Sequence, residues 1–327
     1  MTAIVTGATG FIGQSLVEAL GTLGEDVRCF VRRPGSGAWG AGAREVVVDY
    51  RQPDLRLPDD AFAAVDTVYH LAGATRAVSE RAFHEANVAV TERLMDRIAK
   101  AGHRPRFVLV SSQAAAGPAA DASHPTTERD PARPIEAYGR SKLAGEQAVL
   151  SRSATMPVTI VRPVAVYGPL DRDFLSIFRM AKSGWAVYPG IRDSVVNTIY
   201  VDDLVQGLIA AARSPTAVGQ TYFLGHAQAD SWKTIYRTVA EVMGRQRPTE
   251  ISIPHSLVAI GGVAGDLIAQ ATGRPLLING SKSALAAPKF WLCSSGRAGQ
   301  DFRFTAATSL HDGMRATYDW YLRHRWL

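Results

Sequence analysis

Cysteine is nearly absent: Cys29 and Cys293 are the only two in 327 residues. One pair cannot build a disulfide framework, and the two do not sit at metal-ligand spacing, so neither a stapled scaffold nor a metal site is expected. Cys29 lies in an apolar run and reads as a small core residue. Lysine is scarce too. Of 36 Lys+Arg only six are lysine. The thirty arginines are spread along the chain, so the net charge of +6 reads as general composition and no nucleic-acid partner is expected. No apolar run approaches the ~20 residues of a membrane span. The chain opens directly on AIVTG, without a charged lead and apolar signal core, and a cytoplasmic location is expected. Repeats, low-complexity tracts and His/Cys clusters are missing as well.

What is present is an ordinary globular composition, 46% hydrophobic and 20% charged, long enough for a substantial core. Residues 2–6 form an apolar β-type run. Gly7-Ala8-Thr9-Gly10-Phe11-Ile12-Gly13 follows, and then a helical pattern with Leu16, Val17, Leu20 and Leu23 on one side. Glycines at this strand–turn–helix position permit a tight turn, close approach of backbone to a pyrophosphate, and close helix packing, with free N–H groups facing the phosphates. The next strand, Asp26–Val31, ends in Arg32-Arg33-Pro34. An acidic residue here would hold the ribose hydroxyls of NAD; two arginines suit the 2′-phosphate of NADP instead. Two solvated loop arginines are the plainer alternative.

Further strands are read at Glu45–Val48, Thr67–Leu71, Phe107–Val110 and Val158–Val161, with a helix at Val88–Ala101 carrying Leu94 and Ile98 inward. Alternation at ~30-residue intervals predicts a doubly wound parallel sheet of Rossmann type, whose ligands lie beyond the carboxyl ends of the strands. Asp49 and Tyr50, Leu71-Ala72-Gly73, Ser112 and Pro163 fall at that edge. Beyond Pro163 the alternation lapses. Asn197–Val201 reads as a strand entering a helix with an aspartate cap, and Tyr222–Leu224 as a short strand. Residues 254–278 are the most apolar stretch. There Leu257, Ile260, Ala264, Leu267, Ile268 and Ala271 keep helical spacing, Ser256 could cap the start and Gly273 the end. The primary expectation is a core helix; the sharper alternative is the wall of an apolar substrate cavity. The last helix starts at Ser309 with a capping-box-like Asp312, and carries Met314, Thr317 and Tyr321 inward.

Between these lies Tyr138-Gly139-Arg140-Ser141-Lys142 on a predicted helix. Residues four apart stack on one face, and a nearby ammonium favours a phenolate, so the pair could move a proton to or from an alcohol or ketone. With 10 Tyr and 6 Lys in the chain, chance alone gives about 0.2 such pairs. By itself the motif is open between a proton relay and a surface helix with a solvated lysine.

Taken together, TGATGFIG, HLAG, VSS, YGRSK, RPVAVYGP and YVDDL resemble, in order and spacing over essentially the whole chain, the extended short-chain dehydrogenase/reductase family. This is the NAD(P)-dependent epimerase/dehydratase-like group, and the ending resembles its dihydroflavonol-reductase and 3β-hydroxysteroid-dehydrogenase-like branch. The resemblance implies Ser112, Tyr138 and Lys142 as catalytic residues. It implies cofactor contacts from Gly7, Gly10, Phe11, Ile12, Gly13, Arg32, Asp49, Tyr50, Leu71, Ala72, Gly73, Asn87, Tyr138, Lys142 and Pro163. The expected cofactor is NADP(H), with NAD(H) as the alternative. Lys142 is expected to depress the tyrosine pKa and hold the nicotinamide ribose.

Departures from the family pattern narrow the reaction. Gln113-Ala114 stands where family dehydratases carry Asp-Glu. Ala165 and Val196 stand where nucleotide-sugar enzymes carry Asn and Arg; Arg192 is nearby and could substitute. The expected function is therefore ketone/alcohol interconversion by hydride transfer on a fairly apolar small molecule. The alternatives are a nucleotide-sugar epimerase or reductase of the same family and, with a small share, a non-catalytic NADP-binding regulator. The expected division is a cofactor domain of residues 1–163 and 194–225, and a smaller C-terminal α/β substrate domain of 164–193 and 226–327. A homodimer is implied by the family's habit of pairing the Asn87 and Tyr138 helices.

Overall fold

The structure is a computed structural model that describes residues 1–37, 39–40, 42–272 and 280–327. The first half alternates strand and helix: β1 (Thr2–Thr6), α1 (Phe11–Thr22), β2 (Asp26–Val31), β3 (Ala43–Val47), β4 (Thr67–His70), α2 (Glu80–His84), α3 (Val90–Lys100), β5 (Arg106–Val110), α4 (Ala137–Leu150) and β6 (Val158–Pro163). The chain then departs through β7 (Ala165–Tyr167), α5 (Asp173–Lys182), β8 (Trp185–Pro189) and β9 (Val195–Tyr200), and returns through α6 (Val201–Arg213) and β10 (Gln220–Leu224). The remainder comprises β11 (Ala229–Ser231), α7 (Trp232–Val242), β12 (Thr249–Ile253), α8 (His255–Thr272), α9 (Gly280–Leu285), β13 (Phe290–Trp291), α10 (Gly296–Phe302) and α11 (Leu310–Arg323).

Seven strands form one parallel sheet in the order β10-β6-β5-β4-β1-β2-β3. Such strands are buried on both faces and read as continuous Val/Ile/Leu runs. In β1, Ala3 and Val5 enter one core with Leu16 of α1 and Leu204 of α6, while Ile4 enters a second core with Leu94 and Ile98 of α3. The strand order reverses between β1 and β4, and a crevice at such a switch point is where ligands sit in open α/β sheets. A smaller sheet gathers β7, β11 and β13 around β9, and β12 pairs with β8. Thus β9 lies outside the large sheet, although α6 directly after it packs on that sheet.

Several local expectations change. α1 ends at Thr22, so Leu23 lies beyond it and is 50% exposed. The N-cap of α6 is Tyr200, without a side-chain cap. Asp202 and Asp203 sit in its first turn, and Asp203 accepts a hydrogen bond from the Thr308 N–H at 2.9 Å. Ser309 does cap α11, accepting from the Asp312 N–H, and Met314, Thr317 and Tyr321 are all buried. The largest correction concerns α8. It starts at His255, which places Ser256 inside the first turn, and Gly273 lies outside the described residues. Leu257, Ile260, Val263, Leu267 and Ile268 are 50–66% exposed, so α8 is not a core helix. Regular spacing marks an apolar face; it does not say what covers it.

Candidate active site

The glycine loop connects the end of β1 to α1. Gly7 has φ +68°, and a Cβ there would meet the Ala72 nitrogen at 2.9 Å; a Cβ on Gly13 would meet the Gly7 carbonyl oxygen at 2.2 Å. The loop therefore packs backbone on backbone, against both α1 and the segment after β4. Gly10 is the N-cap of α1, whose first turn holds Phe11 and Ile12 and no acidic residue. Free N–H groups at a helix start without a carboxylate fit the pyrophosphate of a dinucleotide.

Leu71, Ala72 and Gly73 face this loop, and a network that sequence reading does not anticipate holds them there. The Ala72 N–H donates to Thr6 Oγ1 at 3.0 Å, and Thr6 Oγ1 lies 2.7 Å from His70 Nδ1. His70 Nε2 lies 2.9 Å from Thr91 Oγ1, which donates to the Asn87 carbonyl at 3.0 Å. His70 is fully buried, and burial, aided by the Lys142 charge, lowers its pKa to about 3. It is thus a neutral linker between strand ends. The signal available in sequence was only the His of HLAG; its partners stand 64 and 21 residues away.

Asn87 sits in a π-helical turn, Glu85–Ala89, a form that often re-aims a side chain at a functional site. Its amide is fully engaged by protein: Oδ1 accepts from the Ala74 N–H at 2.8 Å, and Nδ2 donates to the Ala74 carbonyl at 3.1 Å and to Ser141 Oγ at 2.8 Å. It ties the Gly73 loop to α4.

Ser112, Tyr138 and Lys142 converge at the same edge. Ser112 follows β5 and caps a short 3-10 turn, Gln113–Ala115. Glu136 caps α4 by accepting from the Tyr138 and Gly139 N–H groups. A Cβ on Gly139 would meet the Ala114 carbonyl oxygen at 2.3 Å. Only glycine lets the start of α4 approach the serine turn this closely. Ser112 lies close enough to the Tyr138 phenol to favour its ionised form, and the tyrosine ring lies 6.0 Å from that of Phe83. Lys142, one turn on, is buried and donates to the Val110 carbonyl at 2.7 Å.

Burial pushes the Tyr138 phenol up to about 12; Ser112 opposes the rise and Glu136 adds to it. The expectation that Lys142 depresses this pKa is not met. Desolvation dominates, and the ammonium is spent on Val110. Lys142 itself is lowered to about 8 by burial, against the pull of Glu146. Glu146 is buried behind it, paired with Arg162 at 2.6 Å and accepting from the Ser111 hydroxyl at 2.5 Å.

At the far end of the crevice Arg32 is exposed where β2 ends. Asp49 is held by Arg51 at 2.9 Å. The Tyr50 hydroxyl is buried near Thr6, and burial pushes its pKa up. Pro163 closes β6 and is buried. Arg192, the substitute considered for an anion-binding arginine, is paired with Glu250 on β12. Among the described residues no cluster of His, Cys, Asp and Glu could hold a metal ion.

Comparison with known proteins agrees with this geometry. The family model described as "NAD dependent epimerase/dehydratase family" matches residues 3–225. A ceramide reductase of Caulobacter vibrioides is 31% identical over 99% of this chain and 95% of its own length. A 3 beta-hydroxysteroid dehydrogenase/Delta 5-->4-isomerase of Mycobacterium tuberculosis is 30% identical over 75% of this chain and 70% of its own. The solved structure of MoeE5 in complex with UDP-glucuronic acid and NAD superposes with a TM-score of 0.78 at 26% identity, covering 99% of this chain and 100% of that one.

Proposed function

Because the chain belongs to the NAD dependent epimerase/dehydratase family and is an enzyme of its extended short-chain dehydrogenase/reductase type, we propose that it interconverts a ketone and an alcohol on a fairly apolar substrate, using NADP(H). The observation that carries the reading is the convergence of Ser112 at the end of β5 with Tyr138 and buried Lys142 one helical turn apart on α4, beside a loop in which Gly7 and Gly13 leave no room for a Cβ.

Gly7, Gly10 and Gly13 would hold the pyrophosphate, with Phe11 and Ile12 opening the helix over it. Leu71, Ala72, Gly73 and Pro163 would border the nicotinamide end, and Asp49, Tyr50 and Arg32 the adenosine end; Asn87 acts by positioning the Gly73 loop. A bound nicotinamide dinucleotide supplies the hydride chemistry. Ser112 orients the substrate oxygen by a hydrogen bond, and Tyr138 exchanges a proton with that oxygen. A phenol held near 12 is protonated at neutral pH, which suits donation to the oxygen of a ketone being reduced. Lys142 contributes a positive charge below and beside the pair.

Support for an apolar substrate comes from Ala165 and Val196, which offer no anion donor, from the engagement of Arg192 by Glu250, and from a relative that acts on ceramide. The MoeE5 likeness favours the competing nucleotide-sugar reading. Residues 164–193 and 226–327 are proposed as the substrate domain. The test is a thermal-shift and turnover comparison. NADPH should stabilise the protein more than NADH, and Arg32→Ala should weaken NADPH by about 10–100-fold, the worth of one or two charge-assisted hydrogen bonds, leaving NADH unchanged. Oxidation of NADPH should occur with a long-chain or steroid ketone. A shift with UDP-sugars, and none with either ketone, would establish the nucleotide-sugar reading instead.

A further inference from the structure

Gln113 is 5% exposed, and its side-chain nitrogen is buried without a hydrogen-bond partner among the described residues. An amide N–H group left unanswered inside a protein costs more than a bond to it returns, so buried amides are paired in the folded chain or wait for a ligand. The orphan nitrogens of Arg28 and Arg97 differ, because each guanidinium is held elsewhere. Arg28 Nη1 donates to the Ala61 carbonyl at 2.7 Å, and Arg97 Nη2 reaches Asp59 at 2.8 Å. Gln113 is also placed where a ligand is expected. It directly follows Ser112 and opens the 3-10 turn beyond the carboxyl end of β5, the edge at which open α/β sheets bind their ligands.

The turn is held too firmly to find this amide a partner within the protein. The Gln113 carbonyl accepts from the Ala116 and Gly117 N–H groups at 2.9 and 3.1 Å. The Ala114 carbonyl is pressed against α4, where it would lie 2.3 Å from a Cβ on Gly139. Ala114, Ala115 and Ala116 are all buried, and none has a polar side chain to offer. The cations of the adjoining elements are engaged as well. Arg140 of α4 pairs with Glu80, Lys142 donates to the Val110 carbonyl, and Arg162 of β6 pairs with Glu146. The unspent donor beside Ser112 is therefore an uncharged amide, which suits a neutral oxygen better than a carboxylate.

We propose that Gln113 is a specificity-determining residue that donates a hydrogen bond to a second, neutral oxygen of the substrate, beside the carbonyl held by Ser112. The inference rests on the ketone reading above and narrows it. Ser112 and Gln113 are consecutive, with Cα atoms about 3.8 Å apart, so two substrate oxygens bound by them are separated by only a few bonds. The substrate class is thus a ketone with an ester, amide or hydroxyl oxygen one or two carbons from the carbonyl, on an otherwise apolar body. Gln113 takes no part in hydride or proton transfer. It sets which ketone is held in place for Ser112 and Tyr138.

The experiment compares two ketones of the same chain length, ethyl 3-oxohexanoate and 4-nonanone, of which only the first has an ester beside the ketone. Gln113→Met keeps the length of the side chain and removes the amide. With NADPH, its kcat/KM should fall about 10–100-fold further on the keto ester than on 4-nonanone, the worth of one hydrogen bond to a buried group. Its unfolding midpoint without ligand should equal or exceed that of the wild type, because an apolar side chain replaces an unanswered amide. A lower midpoint shows that protein groups pair the amide, and overturns the proposal. So does an equal change on both ketones; weakened NADPH binding beside it would assign the amide to the cofactor. A wild type active on simple ketones and inactive on the keto ester also overturns it, whereas one inactive on every ketone removes the ketone reading on which the proposal stands.

Discussion

Tyr138 and Lys142 stand one turn apart, but their environments push their proton affinities in opposite directions. The phenol rises to about 12 and the ammonium falls to about 8, because burial penalises whichever form is charged. Tyr138→Phe removes the hydroxyl placed to exchange a proton with the substrate oxygen and keeps the aromatic ring that packs beside Phe83. We expect turnover to fall about 10²–10⁴-fold with cofactor affinity retained, measured by steady-state rates beside a binding titration. The sign for Lys142 follows from its lowered value. If the charged lysine is required, the rate should decline as pH rises through about 8. Glu146 holds that pKa up, so Glu146→Gln should move the decline to lower pH; pairing it with Arg162→Met avoids leaving a buried guanidinium uncompensated. A profile that does not move would remove Glu146 from the relay. The unfolded chain binds the Lys142 proton more tightly than the folded one, so this group's contribution to stability increases with pH from about 8 toward 10.5.

At the scale of elements, what could be read in advance depended on distance along the chain. β1, β2, β5, α4 and α11 were legible because their determinants are local: apolar runs, glycines at a turn, a Ser309–Asp312 cap. The glycine loop and the Ser112/Tyr138/Lys142 set were legible through spacing and family order. The Thr6–His70–Thr91 chain was not, since three separate elements must meet before it exists. Nor was the π turn at Glu85–Ala89, where the carbonyl of Asn87 would lie 2.7 Å from a Cβ on Gly145; helical periodicity does not reveal one extra residue in a turn. α8 failed for a different reason: its pattern marks an apolar face, and the described residues leave that face exposed. Gly139 offers a direct test of how α4 is placed. In Gly139→Ala the new methyl would strike the Ala114 carbonyl, forcing the helix start away from the serine turn. A loss of about 1–3 kcal/mol in denaturant unfolding is expected, with a larger loss in turnover than the stability change explains. Wild-type turnover in a folded Gly139→Ala protein would show that the close approach is dispensable.

For the whole molecule, the large sheet binds its two halves together through the switch point, while the smaller sheet is assembled from pieces of chain that leave and return. Val195 and Val196 of β9 meet Phe290 and Trp291 of β13, and the Tyr222 hydroxyl of the large sheet reaches Asp301 at 2.6 Å. The seventh strand has a consequence for how the protein is born. β6 is buried along its whole length, yet its outer neighbour β10 is not made until residues 164–219 have emerged. At ~5–20 residues per second, a nascent chain carries the strand Val158–Pro163, with its apolar start Val158–Val161, with one unpaired edge for several seconds. Such an edge is a template for pairing with other chains. The order of synthesis, more than the stability of the finished fold, sets when this protein is most exposed to aggregation.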